Sequence, residues 1–165
     1  MILSIETGRD NKILRKKSDI IHGITKKTVK LIKDMEKTMV KNKGVGLAAP
    51  QVGINEQIIL VTLDNKKILP MINPRILEVS DETAIAEEGC LSLPGEWGKV
   101  RRPKKVIVEF MTPKGQKTVM KFADFEAREI QHEIDHLDGV LFTDYLKEED
   151  ITLDMYNSKQ EVERI

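Results

Sequence analysis

Apolar residues recur along the chain with two different periods, and the places where one gives way to the other mark out its elements. Between Thr25 and Lys43, Val29, Ile32, Met35 and Met39 return at helical spacing among lysines and acids, which predicts a helix with one stripe turned to a core. Gln57 to Leu63 is a short β-rich apolar run, Asp64-Asn65 supplies turn chemistry, and Ile68 to Ile72 resumes the run, so a hairpin is expected. Strand-like segments follow at Arg75 to Val79, Lys105 to Met111 and Lys117 to Phe122, the last two separated by Thr112-Pro113-Lys114-Gly115. A second helix is predicted from about Asp124, as its N-cap, to Asp138, with Gly139 where a left-handed C-terminal residue would sit. Its core stripe is Ala127, Ile130, Ile134 and Leu137. The pattern describes an α+β fold: antiparallel β-sheets around a central helix, in a single domain over residues 1–165 that ends in a short acidic tail from 146.

Composition narrows the class. The chain of 165 residues is the size of one ordinary domain, and 40% apolar residues suffice to close one core. The 27 basic and 27 acidic side chains cancel, unlike the one-sign excess of a disordered tail or a DNA-binding protein. That balance hides a gradient, from +7 over residues 1–43 through +1 over 44–120 to −8 over 121–165. No apolar run approaches the roughly 18 residues of a membrane span, and Met1 to Asp10 lacks a signal-peptide pattern, so a cytoplasmic protein without membrane contact is expected. The single cysteine, Cys90, has no internal disulfide partner and is either a packed thiol or a chemically used one.

The chemistry concentrates in three segments. On the second helix His132 and His136 lie four residues apart and so point the same way one turn from each other, with Glu133 on the flank: His-Glu-x-x-His. Two imidazoles so placed can share one metal ion, but catalytic zinc-like sites usually take three protein ligands and keep a position open. Cys90 is the candidate third ligand, a soft thiolate in Glu87-Glu88-Gly89-Cys90-Leu91-Ser92, where glycine lets backbone approach a site. His22, the remaining histidine, lies in an unremarkable segment and reads as structural or exposed. The third segment, Gly44-Val45-Gly46-Leu47-Ala48-Ala49-Pro50-Gln51, again lets a ligand approach backbone, and its Gln51 is a neutral amide able to donate to a developing oxyanion. Val45, Gly46 and Gly89 are candidate substrate contacts in these small-residue stretches. Phe125, Arg128 and Glu129, one or two turns ahead of His132, are expected to border the pocket for the substrate's first side chain.

Taken together, the three segments resemble the peptide deformylase family. Its motifs GxGxAAxQ, EGCLS and QHExDH match Gly44 to Gln51, Glu88 to Ser92 and Gln131 to His136 without a mismatch, and a looser likeness runs from about Ile13 to Leu146. Glu6 to Asn11 departs from the family's proline-containing opening, and the tail after Leu146 is short and acid-rich.

The resemblance implies hydrolysis of the formyl group from the N-formyl-methionine of nascent polypeptides, with formate released. It implies one divalent metal ion per chain on Cys90, His132 and His136, Fe2+ in the cell and Zn2+ or Ni2+ as replacements. Glu133 would be general base and acid, and the backbone N–H of Leu91 would join Gln51 at the oxyanion. A zinc peptidase shares His-Glu-x-x-His but takes a further ligand downstream, where this chain offers acids such as Asp144, Glu148 and Glu149 and no histidine. A structural metal module would need a fourth protein ligand. For a transient ribosome contact the acidic tail is a poor surface, and Lys26, Lys27, Lys30, Lys33 and Lys37 on the first helix are the better one.

Overall fold

The computed structural model describes residues 1–153, so the part of the acidic tail from 154 to 165 lies outside the described residues. After a one-turn helix α1 (Lys12–Arg15) comes α2 (Lys26–Lys41), capped by Thr25, whose hydroxyl accepts the Thr28 N–H. Ile32, Met35 and Met39 of the expected stripe are buried, while Val29 is only half covered.

Five strands form the larger sheet, in the order β1 (Gly46–Ala48), β2 (Ile58–Thr62), β3 (Ile68–Val79), β6 (Lys105–Met111) and β7 (Lys117–Ala123), each pair antiparallel. The predicted hairpin is β2 and β3, paired from Ile58↔Ile72 to Thr62↔Ile68. The stretch Arg75 to Val79 is not a separate strand. It continues β3 past an irregularity at Asn73-Pro74, where proline cannot donate to a ladder and Asn73, at φ 50°, ties its side chain to both backbone groups of Ile21.

Two long strands not expected from the apolar pattern, β4 (Thr83–Cys90) and β5 (Leu93–Pro103), make an antiparallel hairpin, and β8 (Thr152–Leu153) adds to β5 at Glu96 and Trp97.

Helix α3 (Asp124–Leu137) packs on β1 and β2 and meets β5 on its other side. Its start differs from expectation: Asp124 is the first helical residue, not the cap. The cap, Ala123, ends β7, and Asp124 turns the chain at φ 53° while its N–H is held by the Lys104 carbonyl. The helix ends as predicted at Gly139, φ 73°, where a side chain would collide with the Arg15 carbonyl. Ala127, Ile130 and Leu137 join Ile59, Val61, Met71 and Val108 in the core between helix and sheet.

Candidate metal centre and substrate cleft

Helix α3 is sandwiched, so the side carrying His132, Glu133 and His136 is as buried as its apolar stripe. Cys90, at the end of β4, arrives against that side. Its Sγ lies 3.3 Å from His136 Nε2, and one ligand atom from each of Cys90, His132 and His136 falls within 4.8 Å of the others. The donors come from one strand and one helix about forty residues apart in sequence, and the chemistry of the set, one thiolate and two imidazoles, fits a zinc-like or ferrous ion.

Side chains behind the ligands hold them in place. His132 Nδ1 meets Glu88 Oε1 at 2.8 Å, which leaves Nε2 for the cluster. Glu88 is 3% exposed and is gripped by Arg102 through Nε and Nη2 at 2.7 and 2.9 Å and by Arg128 Nη1 at 2.6 Å. Burial alone would raise its carboxyl, but the bonds from His132 and Arg102 prevail and hold it down at about 2. Arg102 also donates to Asp135, which accepts from the Tyr145 hydroxyl at 2.8 Å.

Glu133 is the opposite case. It is buried, its Oε2 has no hydrogen-bond partner among the described residues, and burial pushes its carboxyl up to about 8. It stands against bare backbone at Gly46. Gln51 is pinned from both ends. Its Oε1 accepts the Ala48 N–H at 2.9 Å, so its Nε2 points at Cys90 Sγ, 3.4 Å, and at Ser92 Oγ, 3.1 Å.

A cleft of about 400 Å³ opens over this cluster. Val45, Gly46, Gln51, Gly89, Cys90, Leu91, Phe125, Glu129, His132 and Glu133 all line it, so most of the candidate residues are brought together. Arg128 is not. Expected at the border of the first side-chain pocket, it is buried instead, with Nη1 on Glu88 and the Val100 carbonyl and Nη2 on the Ala84 carbonyl. A guanidinium at this covered position needs a counter-charge, and Glu88 supplies it.

Sequence reasoning missed Glu88 and Arg102 as the brace behind His132, and Trp97, whose ring covers Gly89 where a Cβ would collide with it. Glu88 stood inside a recognised motif, two residues before the cysteine, and that was the available signal. His22 is exposed and away from the cluster, as expected.

The family model for polypeptide deformylase matches residues 2–151. The chain belongs to the polypeptide deformylase family. It is 42% identical over 159 residues to the peptide deformylase of Finegoldia magna, an alignment covering 94% of this chain and 92% of the relative. Among solved structures, it is similar to a class I type b peptide deformylase from Acinetobacter baumannii bound to Met-Ala-Ser, with a TM-score of 0.84, 34% identity, and coverage of 88% of this chain and 99% of that one. An actinonin complex of the deformylase from Synechococcus elongatus gives the same TM-score at 37% identity, covering 88% and 79%. Membership makes the chain a metal-dependent hydrolase, and its single-domain α+β fold with antiparallel sheets is the deformylase fold. No helix among the described residues is long and apolar enough to cross a membrane.

Proposed function

We propose that this chain removes the N-formyl group from formyl-methionyl nascent polypeptides in the cytoplasm, releasing formate, with one divalent ion held by Cys90, His132 and His136. The observation that carries the reading is the convergence of these three donors beside a buried Glu133 whose Oε2 has no hydrogen-bond partner among the described residues. When bound, the ion supplies a Lewis acid that polarises the formyl carbonyl and acidifies a water nucleophile. We take Fe2+ as the working ion, with Zn2+ or Ni2+ able to replace it, since thiolate and imidazole suit all three.

Glu133 takes the proton of the attacking water and delivers it to the leaving amine. A carboxyl raised toward neutrality is suited to both halves of that transfer. Gln51 Nε2 and the Leu91 N–H donate to the oxygen that becomes negative as the carbon turns tetrahedral. Val45, Gly46 and Gly89 border the peptide's path, and Phe125 and Glu129 stand by the first side chains. The Met-Ala-Ser bound to the Acinetobacter baumannii protein supports a peptide with an N-terminal methionine as product.

For a transient ribosome contact the supporting feature is α2. Lys26, Lys30, Lys33 and Lys37 share one stripe at spacings of four, three and four, while Lys27 stands beside it.

The test is formate release from formyl-Met-Ala-Ser by anaerobically purified protein, with unformylated Met-Ala-Ser alongside. Stoichiometric formate and an intact peptide bond support the reading. Cleavage of the unformylated peptide would favour a peptidase instead.

A further inference from the structure

His132 is held from two directions besides its place on α3: by Glu88 at Nδ1 and by the ring of Phe142. The Phe142 ring, 2% exposed, stacks on the imidazole with centroids 6.1 Å apart and planes 24° from parallel. It belongs to the single helical turn Phe142–Tyr145 that follows α3, and with Leu93, Val100 and Leu141 it forms the apolar cluster against which Cys90 packs. Arg15 of α1 ties that turn to the rest of the fold, with Nη1 and Nη2 on the Asp144 carboxylate at 2.6 and 3.0 Å and Nη1 also on the Gly139 carbonyl. One short turn thus backs two of the three metal donors, and neither Phe142 nor Tyr145 lines the cleft.

The last residue of the turn, Tyr145, reaches the other brace. Its hydroxyl donates to Asp135 Oδ2, and Arg102 Nη1 donates to the same oxygen at 2.9 Å. The tyrosine ring lies against the Arg102 guanidinium, whose carbon is 5.2 Å from the ring centroid. Arg102 directs Nε and Nη2 to Glu88, and Glu88 meets His132. An unbroken series of hydrogen bonds therefore runs through Tyr145, Asp135, Arg102, Glu88 and His132. Exposure falls along it from 53% at Tyr145 to 5% at Arg102 and 3% at Glu88, so its tyrosine end stands at the surface.

The weak member of the series is Asp135, which is half-buried and has water as a competing partner. The Tyr145 hydroxyl keeps its Oδ2 on Arg102. Without that bond the carboxylate is free to turn to solvent, and Arg102 is left bonded at one end only, which loosens its grip on Glu88.

Resting on the proposed metal centre, we propose that Tyr145 is a positioning residue for the metal ion: acting through Asp135, Arg102 and Glu88, it fixes the orientation of His132 and slows release of the ion. The test follows release of Co2+ from the loaded protein into excess chelator, by decay of the thiolate-to-metal charge-transfer band. Tyr145→Phe keeps the ring and loses only a hydroxyl at an exposed position, so the variant should fold. Its release should be faster by about threefold or more, short of the roughly 10- to 100-fold that follows loss of a group bonded directly to a ligand, and the visible bands of the bound cobalt should shift. Thr38→Ala is the control, since it removes a hydrogen bond between the buried Thr38 of α2 and the Leu3 N–H, outside the series, and should leave release and spectrum as in the wild type. In Asp135→Ala, where the series is already cut, adding Tyr145→Phe should accelerate release no further. Wild-type release and spectrum in Tyr145→Phe, an equal change in Thr38→Ala, or full additivity with Asp135→Ala would overturn the positioning role and leave the metal centre standing. A wild-type protein that binds no Co2+ would overturn both.

Discussion

Gly46 and Glu133 share a space that only glycine leaves open: a Cβ on residue 46 would stand 2.5 Å from Glu133 Oε1 and 3.0 Å from Cγ and Cδ. The first strand of the large sheet thus presses bare backbone against the carboxylate. Gly46→Ala should fold, since the neighbour that must move is a side-chain end, but Glu133 would be displaced from the cluster. A loss of about 100-fold in kcat/KM is expected for a shift on the order of 1 Å, with metal content unchanged by elemental analysis. Wild-type kinetics in this variant would mean that the position of Glu133 is not critical.

Glu133→Ala should retain its metal and lose nearly all hydrolysis, because the three ligands are intact and only the proton carrier is gone. The expected fall in kcat/KM is at least about 100-fold. Retention of more than about a tenth of the wild-type value would remove Glu133 from the proton transfer.

Cys90→Ser exchanges a soft thiolate for a hydroxyl that is a poor ligand near neutral pH. Metal affinity should drop by at least about 100-fold in competition with a chelator, beyond the range for losing a side chain that only orients a ligand. The cobalt-loaded wild type should carry a thiolate-to-metal charge-transfer band that the variant lacks. A wild-type protein without that band would place Cys90 outside the coordination sphere.

Much of this was legible from residue order. The two histidines and Glu133 could be read because helical spacing alone aligns residues 132 and 136, whatever surrounds them. The ladders β2–β3 and β6–β7 could be read because their strands bury apolar side chains such as Ile59, Val61, Val106 and Val108. Strands β4 and β5 could not. At the point where they meet α3 their inward residues are Glu88 and Arg102, which a search for alternating apolar positions counts as exposed. Arg128 misled for the same reason, since burial of a charge is decided by a partner distant in sequence.

Glu88→Gln leaves two arginines facing a neutral amide inside the protein, which should cost about 3 kcal/mol or more by chemical denaturation. The pH dependence follows from the depressed carboxyl. A group held at about 2 contributes stability that is complete above the ordinary carboxylate range and is lost as pH falls toward 2. Metal-stripped wild type should therefore weaken over that interval more steeply than metal-stripped Glu88→Gln. Parallel profiles would show that Glu88 titrates normally.

If the protein visits ribosomes through α2, co-sedimentation at low salt should be lost when Lys26, Lys30, Lys33 and Lys37 are changed to glutamate, and should fall steeply with salt in the wild type. Binding that survives the four substitutions would put the contact on another surface.

Gln51 is neutral and does not titrate near neutral pH, yet its hydrogen bonds make it more than a neutral filler. With Oε1 committed to the Ala48 N–H and Nε2 near Cys90 and Ser92, the amide is a dipole set at folding, before any substrate arrives. In its proposed role it has no rotation to complete as charge develops on the formyl oxygen, so that side of the cleft contributes little reorganisation energy to the barrier. Water in the same position would have to turn.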